Sequence, residues 1–190
     1  MKPKFLFVSA TQLEHQEHHI FGNEIHIIGV GKVNAAVETS RLINKYDPDY
    51  VINFGSAGNL KDYKVGEVLM IGEVHNDIDV RPFAEYGYSP FNNRGPLKLQ
   101  GKKETKCFTT DYFYDKSKNY LDGYLDEIKE CDVIDMELYS IVQACNSHNK
   151  LCYSFKWISD DGDSSKWKEN AKIGYENCKQ YMSEMLFSEH

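Results

Sequence analysis

Residues 24–54 have the sequence EIHIIGVGKVNAAVETSRLINKYDPDYVINF, and this stretch predicts a β-α-β unit. Apolar runs at residues 24–30 and 49–54 are typical of buried strands. Between them, residues 32–46 predict a helix, because apolar residues recur near helical spacing at Val33, Ala36, Val37, Leu42 and Ile43. A helix that joins two strands in this way makes them parallel, with a right-handed crossover. The stretch therefore predicts an α/β fold built on a parallel sheet.

The rest of the chain continues this alternation of strands and helices. Further strands are predicted at residues 4–9, 67–74, 107–110, 132–134 and 152–159. Further helices are predicted at residues 116–128, 136–147 and 167–187. Residues 77–103 are polar and rich in Gly, Pro and Asn, so we expect a surface excursion there. We expect one domain over residues 1–190, in which a mostly parallel, twisted central sheet is flanked by helices.

The composition excludes several classes of protein. A formal net charge of −7 argues against non-specific nucleic-acid binding, which requires Lys and Arg to neutralise phosphates. No segment approaches the ~18 consecutive apolar residues of a membrane span, and the first apolar run is too short for a secretory signal. Five scattered cysteines without a C-x-x-C pair predict reduced, mostly buried thiols. We therefore expect a cytoplasmic protein.

Ligands of open α/β sheets bind beyond the carboxyl ends of the strands. In this chain the corresponding loops begin at Ser9, Val30, Phe54, Thr110, Asp135 and Ser159. Four segments in or beside these loops are unusual. They are G-V-G-K-V-N-A-A (residues 29–36), V-I-N-F-G-S-A-G-N-L (residues 51–60), V-I-D-M-E (residues 133–137) and W-I-S-D (residues 157–160).

In their order and approximate spacing, these four segments resemble those of the purine nucleoside phosphorylases and nucleosidases, most closely the methylthioadenosine/S-adenosylhomocysteine nucleosidases. The resemblance covers most of the chain and implies a shortened version of the nucleoside phosphorylase-like fold. It also implies hydrolysis of the N-glycosidic bond of a purine nucleoside, with no cofactor and no metal. Homodimers or larger homo-oligomers are expected by the same resemblance.

The implied reaction assigns a role to several polar residues. Cleavage passes through an oxocarbenium-like transition state, so it needs an acid for the departing purine and a base for water. By resemblance, Asp160 protonates the purine at N7 and Ser159 orients it. Glu14 activates water, although S-A-T-Q-L-E around it replaces the glutamate-rich run of the family. Glu137 accepts hydrogen bonds from the ribose hydroxyls, and Met136 packs against the sugar.

The remaining predicted contacts concern the base and the ends of the substrate. By resemblance, Phe113 stacks on adenine, the Tyr114 backbone bonds the base edge and Asp111 braces the loop. The two glycine-containing loops are expected to contribute pocket residues at Val30, Ser56, Ala57 and Gly58. We also hypothesise that Arg81, in D-I-D-V-R-P-F, faces an anionic group on the substrate.

Each assignment has a plainer alternative. Glu137 could be only a first-turn helix carboxylate, and Asp160, in the run D-D-G-D, could be a turn or N-cap residue. Phe113 could be ordinary core filling, whereas Glu14 and Arg81 could be exposed surface charges. The histidines at 15, 18 and 19 would share a face of a helix and could bind a metal, but solvated histidines are the favoured interpretation.

The nucleophile is a separate question. Hexameric phosphorylases have an arginine where this chain has Asn53, which favours water over phosphate. Lys32 remains a candidate phosphate ligand, so a phosphorylase stays open. A non-catalytic nucleoside- or nucleotide-binding protein is the third possibility. Relatives have a helix and a strand hairpin before residues 29–31, for which this chain has little room.

Overall fold

The computed structural model of the protein describes residues 3–91, 94–117 and 128–187. Within them the strands are β1 (Phe5–Ser9), β2 (His19–Ile20), β3 (Asn23–Ile27), β4 (Tyr50–Asn59), β5 (Val68–Asn76), β6 (Leu97–Lys98), β7 (Lys102–Thr109), β8 (Val133–Asp135) and β9 (Leu151–Asp160). The α-helices are α1 (Lys32–Tyr46), α2 (Leu138–Ser147), α3 (Trp167–Asn170) and α4 (Tyr175–Phe187). Short 3-10 helices lie at Gln12–Glu14 and Ser164–Lys166.

Strand β4 closes the sheet into a barrel. One edge of β4 pairs in parallel with β9 along its length. The other edge is shared, because β1 pairs with residues 50–53 in parallel and β8 pairs with residues 58 and 59 antiparallel. From β9 the pairing continues to β5, β7 and β8, and so returns to β4. Beyond the barrel, β3 and β2 extend the sheet from β1, and β6 lies beside β5.

The predicted mostly parallel, twisted sheet must be corrected to a mixed sheet with a closed barrel. In the described residues, five strand pairings are parallel and four are antiparallel. The cause lies in residues 60–67, which join β4 to β5. A parallel crossover needs a dozen or more residues, so this short connection reverses the chain direction and β5 runs antiparallel to β9.

Most predicted elements are confirmed, and their ends differ by a few residues. The helix at residues 32–46 is α1. The predicted closing helix at residues 167–187 is wrong as one element, because residues 171–174 separate α3 from α4. The strands β2 and β6 were missed because two residues give no periodic signal. The β2–β3 hairpin and the 3-10 helix at Gln12–Glu14 do fit before residues 29–31. Of the helix predicted at residues 116–128, residues 118–127 lie outside the described residues.

The buried face of α1 differs in part from the predicted one. Leu42 and Ile43 are buried as expected, but Val33 and Val37 are 75% and 59% exposed. The helix packs against α2 through a face that also includes Ala35 and Thr39. An apolar residue every third or fourth position does not say which of two overlapping faces meets the core. The consequence is an exposed apolar pair, one helical turn apart, next to residues 29–31.

The remaining expectations from composition concern the cysteines and membrane spans. Cys107, Cys131, Cys145, Cys152 and Cys178 are all buried, as predicted, and none of them is in a disulfide bond. Within the part of the chain that the structure describes, no helix combines the length and the apolarity needed to cross a bilayer.

Candidate active site

A cleft of about 590 Å³ opens where β1, β4, β8 and β9 end. It contains eleven of the twelve residues that the sequence predicted for the site. These are Glu14, Val30, Ser56, Ala57, Gly58, Phe113, Tyr114, Met136, Glu137, Ser159 and Asp160. The other lining residues are Ala10, Thr11, Tyr112, Ile134, Asp135 and Trp167. The barrel therefore brings together side chains that are up to about 150 positions apart in the chain.

Glu14 is held by three hydrogen bonds at one end of the cleft. It ends a 3-10 helix whose N-cap is Thr11, and only 4% of Glu14 is exposed. The Ser9 hydroxyl donates to Oε2 at 3.0 Å. The backbone N–H and the hydroxyl of Ser56 both donate to Oε1, each at 2.7 Å. The alternative of a solvated surface glutamate does not fit this burial and these partners.

The close approach of Glu14 to β4 requires a glycine. A Cβ atom on Gly55 would lie 3.0 Å from Oε1 and 3.1 Å from Oε2 of Glu14. Such contacts are shorter than side-chain carbons normally make with oxygen. The glycine-containing loop expected after Phe54 is instead part of β4, and Gly55 in it provides space for the carboxylate rather than an unusual backbone angle.

Asp160 lies at the end of β9, at another side of the same cleft, and is only 3% exposed. Ser159 Oγ donates to its Oδ2 at 2.8 Å, and the Gly162 N–H donates to its Oδ1 at 2.9 Å. Burial raises the pKa of Asp160 above the usual value for an aspartic acid, and the nearby charges of Asp161 and Asp163 act in the same direction. The turn predicted as an alternative is present, but the same carboxyl also faces the cleft.

Glu137 lies between β8 and α2, at the N-cap position of that helix. Its side chain makes no capping bond; instead, the Gly31 N–H donates to Oε1 at 2.9 Å. Burial, reinforced by repulsion from Asp135, raises the pKa of Glu137 to about 8. A hydroxyl-bearing ligand that donates hydrogen bonds to this carboxylate would favour its ionised form.

Asp135, rather than Glu137, provides the side-chain cap of α2. Its Oδ2 accepts a hydrogen bond from the Leu138 N–H at 2.9 Å, and its Oδ1 accepts one from Thr109 Oγ1 at 2.6 Å. The ammonium of Lys156 lies 2.8 Å from Oδ2, and both side chains of this ion pair are at most 2% exposed. The pair fixes the backbone that leads into Met136 and Glu137.

Aromatic residues form the mouth of the cleft. Phe113 is 43% exposed, so the alternative of ordinary core filling does not fit it. Its ring meets the Trp167 ring edge-on, with centroids 5.6 Å apart. Tyr114 is partly buried beside them. Sequence reasoning missed Trp167, because the predicted closing helix begins at this residue and nothing in its pattern directs the side chain to the cleft.

Arg81 does not line the cleft. Its Nε and Nη2 atoms donate to the two carboxylate oxygens of Asp79, at 2.9 and 2.6 Å. The guanidinium also lies over the ring of Tyr86, with 5.7 Å to the centroid. Arg81 is thus not brought together with the other predicted site residues: it binds a neighbouring carboxylate on its own loop, and its contact with an anionic substrate group stays a prediction.

The alternative of a metal-binding face of histidines does not form, and the favoured interpretation of solvated histidines is wrong for His15. The helix that would align them ends at Glu14, and His15 is buried, with its Nδ1 2.9 Å from the Glu17 carbonyl oxygen. His18 contacts Gln12, and His19 is exposed in β2. Among the described residues, no group of three potential metal ligands comes together.

Lys32, the candidate phosphate ligand, is already paired with carboxylates. Its ammonium contacts Asp77 and lies 3.5 Å from Asp111. Asp111 Oδ1 accepts a hydrogen bond from the Lys32 N–H at 2.9 Å, which links its loop to the start of α1. Asn53 is buried between strands, where it accepts a hydrogen bond from the Ser154 hydroxyl at 2.9 Å.

The chain belongs to the phosphorylase superfamily, whose family model matches residues 19–186. It is similar to the 5′-methylthioadenosine/S-adenosylhomocysteine nucleosidase of an Exiguobacterium strain, with 35% identity over 157 residues, and to that of Hydrogenovibrio crunogenus, with 43% identity over 98 residues. These matches cover 71% and 50% of this chain, and 66% and 38% of the two relatives.

The fold is also that of solved nucleosidase structures. A crystal structure of the 5′-methylthioadenosine/S-adenosylhomocysteine nucleosidase of Neisseria meningitidis, in complex with methylthio-immucillin-A, matches with a TM-score of 0.80 and 24% identity. The match covers 96% of this chain and 97% of that one. The likeness confirms the predicted nucleoside phosphorylase-like α/β fold.

Proposed function

We propose that the protein hydrolyses the N-glycosidic bond of a purine nucleoside of the methylthioadenosine/S-adenosylhomocysteine type and releases adenine. The main observation is that two buried carboxyl groups, on Glu14 and Asp160, line one cleft in different surroundings. A reaction that needs both a base and an acid requires such a difference. The names of the similar proteins support the same substrate class.

The proposed reaction uses Asp160 as the acid. The bond between N9 of the purine and C1′ of the ribose breaks, and its electron pair passes to the purine. Asp160 gives a proton to purine N7, which neutralises the leaving base. The raised pKa of Asp160 supports this role, because the acid must hold its proton near neutral pH. Ser159 orients the carboxyl through its 2.8 Å hydrogen bond.

Glu14 is the proposed base. A water molecule attacks C1′ from the side of Glu14 and transfers a proton to this carboxylate. The three hydrogen bonds from Ser9 and Ser56 fix the position of Glu14, as an effective base requires. The products are adenine and a ribose derivative with a hydroxyl group at C1′.

The other predicted residues are proposed to bind substrate. Glu137 and Met136 contact the ribose, and Phe113 stacks on the base, whose edge meets the Tyr114 backbone. Val30 and residues 56–58 of β4 complete the walls. The shared lining of the 590 Å³ cleft supports this arrangement. No cofactor or metal enters the proposed reaction.

Water is proposed as the nucleophile, rather than phosphate. Lys32 is the cation nearest to residues 29–31 in the sequence, and Asp77 and Asp111 neutralise it. A phosphate dianion beside these carboxylates would be repelled. Ser154 and Val8 likewise engage the side chain of Asn53, away from the cleft.

We further propose a homodimer or a larger homo-oligomer of this one-domain chain. Large apolar side chains are exposed near the cleft at Leu13, Val33 and Val37, and elsewhere at Phe83 and Phe91. Exposed apolar groups of this kind are typical of protein interfaces. Light scattering should give at least twice the mass of one chain, and a monomer at micromolar concentration would contradict the proposal.

The decisive experiment measures base release by chromatography from methylthioadenosine, S-adenosylhomocysteine, adenosine and inosine, each with and without phosphate. Asp160→Asn is the control. We expect release of adenine that does not depend on phosphate and that the control loses. Release only in the presence of phosphate would identify a phosphorylase, and binding without any release would identify a non-catalytic nucleoside-binding protein.

A further inference from the structure

Trp167 is linked to Glu14 through one serine hydroxyl. The indole Nε1 of Trp167 donates to Ser56 Oγ at 3.0 Å. Ser56 Oγ in turn lies 2.7 Å from Glu14 Oε1. The three groups come from α3, β4 and the loop after β1, so only the folded barrel brings them together.

The chemistry of the three groups fixes the direction of this chain of hydrogen bonds. An indole N–H can only donate, whereas a hydroxyl has one proton and can also accept. Because Ser56 Oγ accepts from Trp167, its proton is directed to the carboxylate of Glu14. Without the indole, the hydroxyl could rotate and donate its proton to an acceptor other than Glu14.

The orientation of Ser56 decides which oxygen of Glu14 is available for water. A carboxylate has about four lone-pair positions. Oε1 accepts two hydrogen bonds from Ser56, while Oε2 accepts one from Ser9. Among the described residues, the remaining acceptor position is therefore on Oε2. We call the hydrogen bonds from Trp167 to Ser56 and from Ser56 to Glu14 the relay. The relay keeps Oε1 occupied, so the proton of an attacking water is directed to Oε2.

The indole ring is itself held at the mouth of the cleft. Phe113, the proposed base-stacking residue, packs edge-on against it with centroids 5.6 Å apart. Edge-to-face pairs of this kind have a preferred geometry and stabilise the relative orientation of two rings. Phe113, on the base-binding side of the cleft, thus contacts Trp167, which is linked through Ser56 to Glu14 on the water-activating side.

We propose that Trp167 is a positioning residue for Glu14, acting through the hydroxyl of Ser56. This inference rests on the proposed hydrolysis, in which Glu14 accepts the proton of water. Trp167 affects the catalytic step more than substrate binding, because the indole N–H contacts Ser56 and not the reacting atoms.

The test is a double-mutant cycle with Trp167→Phe, Ser56→Ala and the double variant, assayed for adenine release from methylthioadenosine. Phenylalanine keeps an aromatic ring beside Phe113 and removes only the N–H donor. We expect Trp167→Phe to lower kcat about tenfold, the size of one lost hydrogen bond, with KM within about twofold. In the Ser56→Ala background the same change should lower kcat by less than about twofold, because the relay is already broken.

Several results would overturn the relay. Equal losses from Trp167→Phe with and without the Ser56 hydroxyl would mean that the tryptophan acts independently of Ser56. A raised KM with unchanged kcat would mean that Trp167 only contributes to substrate binding and does not position Glu14. Binding of adenine, measured by calorimetry, confirms that each variant is folded. Failure of the wild-type protein to release any base would contradict the proposed function itself, whereas an active wild type with a fully active Trp167→Phe variant contradicts only the relay.

Discussion

Two sides of the same cleft hold a carboxyl group each, and they differ in what surrounds it. On the Glu14 side, two serines supply three hydrogen-bond donors and the packing leaves room only for a glycine at position 55. On the Asp160 side, two donors are opposed by the acidic neighbours Asp161 and Asp163. Both carboxyl groups are more than nine-tenths buried, so burial alone does not distinguish them.

The difference shows how one kind of side chain can serve two opposite roles. Donors around a carboxylate favour its ionised form, whereas burial and nearby negative charge favour the protonated form. The raised pKa of Asp160 fits a proton donor, and the donor-rich position of Glu14 fits a proton acceptor. Each of the following predictions tests whether the two sides really act differently, beginning with the largest effect.

Glu14→Gln and Asp160→Asn should respond differently to the leaving group. Each change should lower the rate of adenine release by about 10³-fold, the usual size of acid–base catalysis. With a 4-nitrophenyl riboside, whose leaving group needs no proton, Asp160→Asn should be almost fully active and Glu14→Gln should stay inactive. Release of 4-nitrophenolate is measured by absorbance. Equal losses of both variants on both substrates would remove the distinction between the two sides.

Gly55→Ala should damage only the Glu14 side. The added Cβ would lie 3.0 Å from Glu14 Oε1 and would displace the carboxylate. A displacement of several tenths of an ångström should lower kcat about ten- to a hundredfold. The pH at which activity declines on the alkaline side should not change, because Asp160 is not touched. Unaltered kcat would show that Glu14 does not need its present position.

Glu137→Gln should weaken ribose binding and stabilise the fold at high pH. Loss of a charged acceptor should raise KM about tenfold or more. In the wild type the pKa of Glu137 rises from 4.5 to about 8 on folding, so the stability contributed by its proton is present at low pH and lost as pH rises through 8. Glutamine does not ionise, so the Glu137→Gln variant does not lose this stability at high pH.

Calorimetric scans test whether the variant is more stable than the wild type at high pH. At pH 8.5 the Glu137→Gln variant should melt above the wild type, by roughly 2–4 °C for each kcal/mol regained. Near pH 5 the two proteins should melt together. A lower melting temperature of the variant at pH 8.5 would mean that the Gly31 hydrogen bond needs the ionised carboxylate.

The smallest expected effect concerns the acidic neighbours of Asp160. If Asp160 is the acid, activity falls as pH rises through its pKa. Because Asp161 and Asp163 raise that pKa, the double change to Asn should move the alkaline decline to lower pH. The shift should shrink in 1 M salt, which screens exposed charges. Asp62→Asn, which removes one exposed negative charge at a residue that does not line the cleft, is the control and should leave the profile in place.

Much of the cleft was predictable from the sequence, because its residues follow strands. The segments V-I-D-M-E and W-I-S-D place Glu137 and Asp160 directly after buried apolar runs, and such positions meet at one edge of a sheet. Arg81 and Trp167 were harder to assign, for the opposite reason. Arg81 lies on a long loop and Trp167 begins the four-residue helix α3, and neither setting has a periodic pattern that restricts the direction of a side chain.

By itself, the sequence determined most of the longer elements and the order in which they follow one another, since hydrophobic periodicity is a local property. The tertiary structure decided the closed barrel, because its strand pairings connect residues far apart in the chain. It also decided the surroundings of each carboxyl group. The donors to Glu14 include Ser56, 42 positions away, and the Gly31 N–H that meets Glu137 is 106 positions away. Hydrogen bonds and burial depend on such distant neighbours, so they become defined only when the chain has folded.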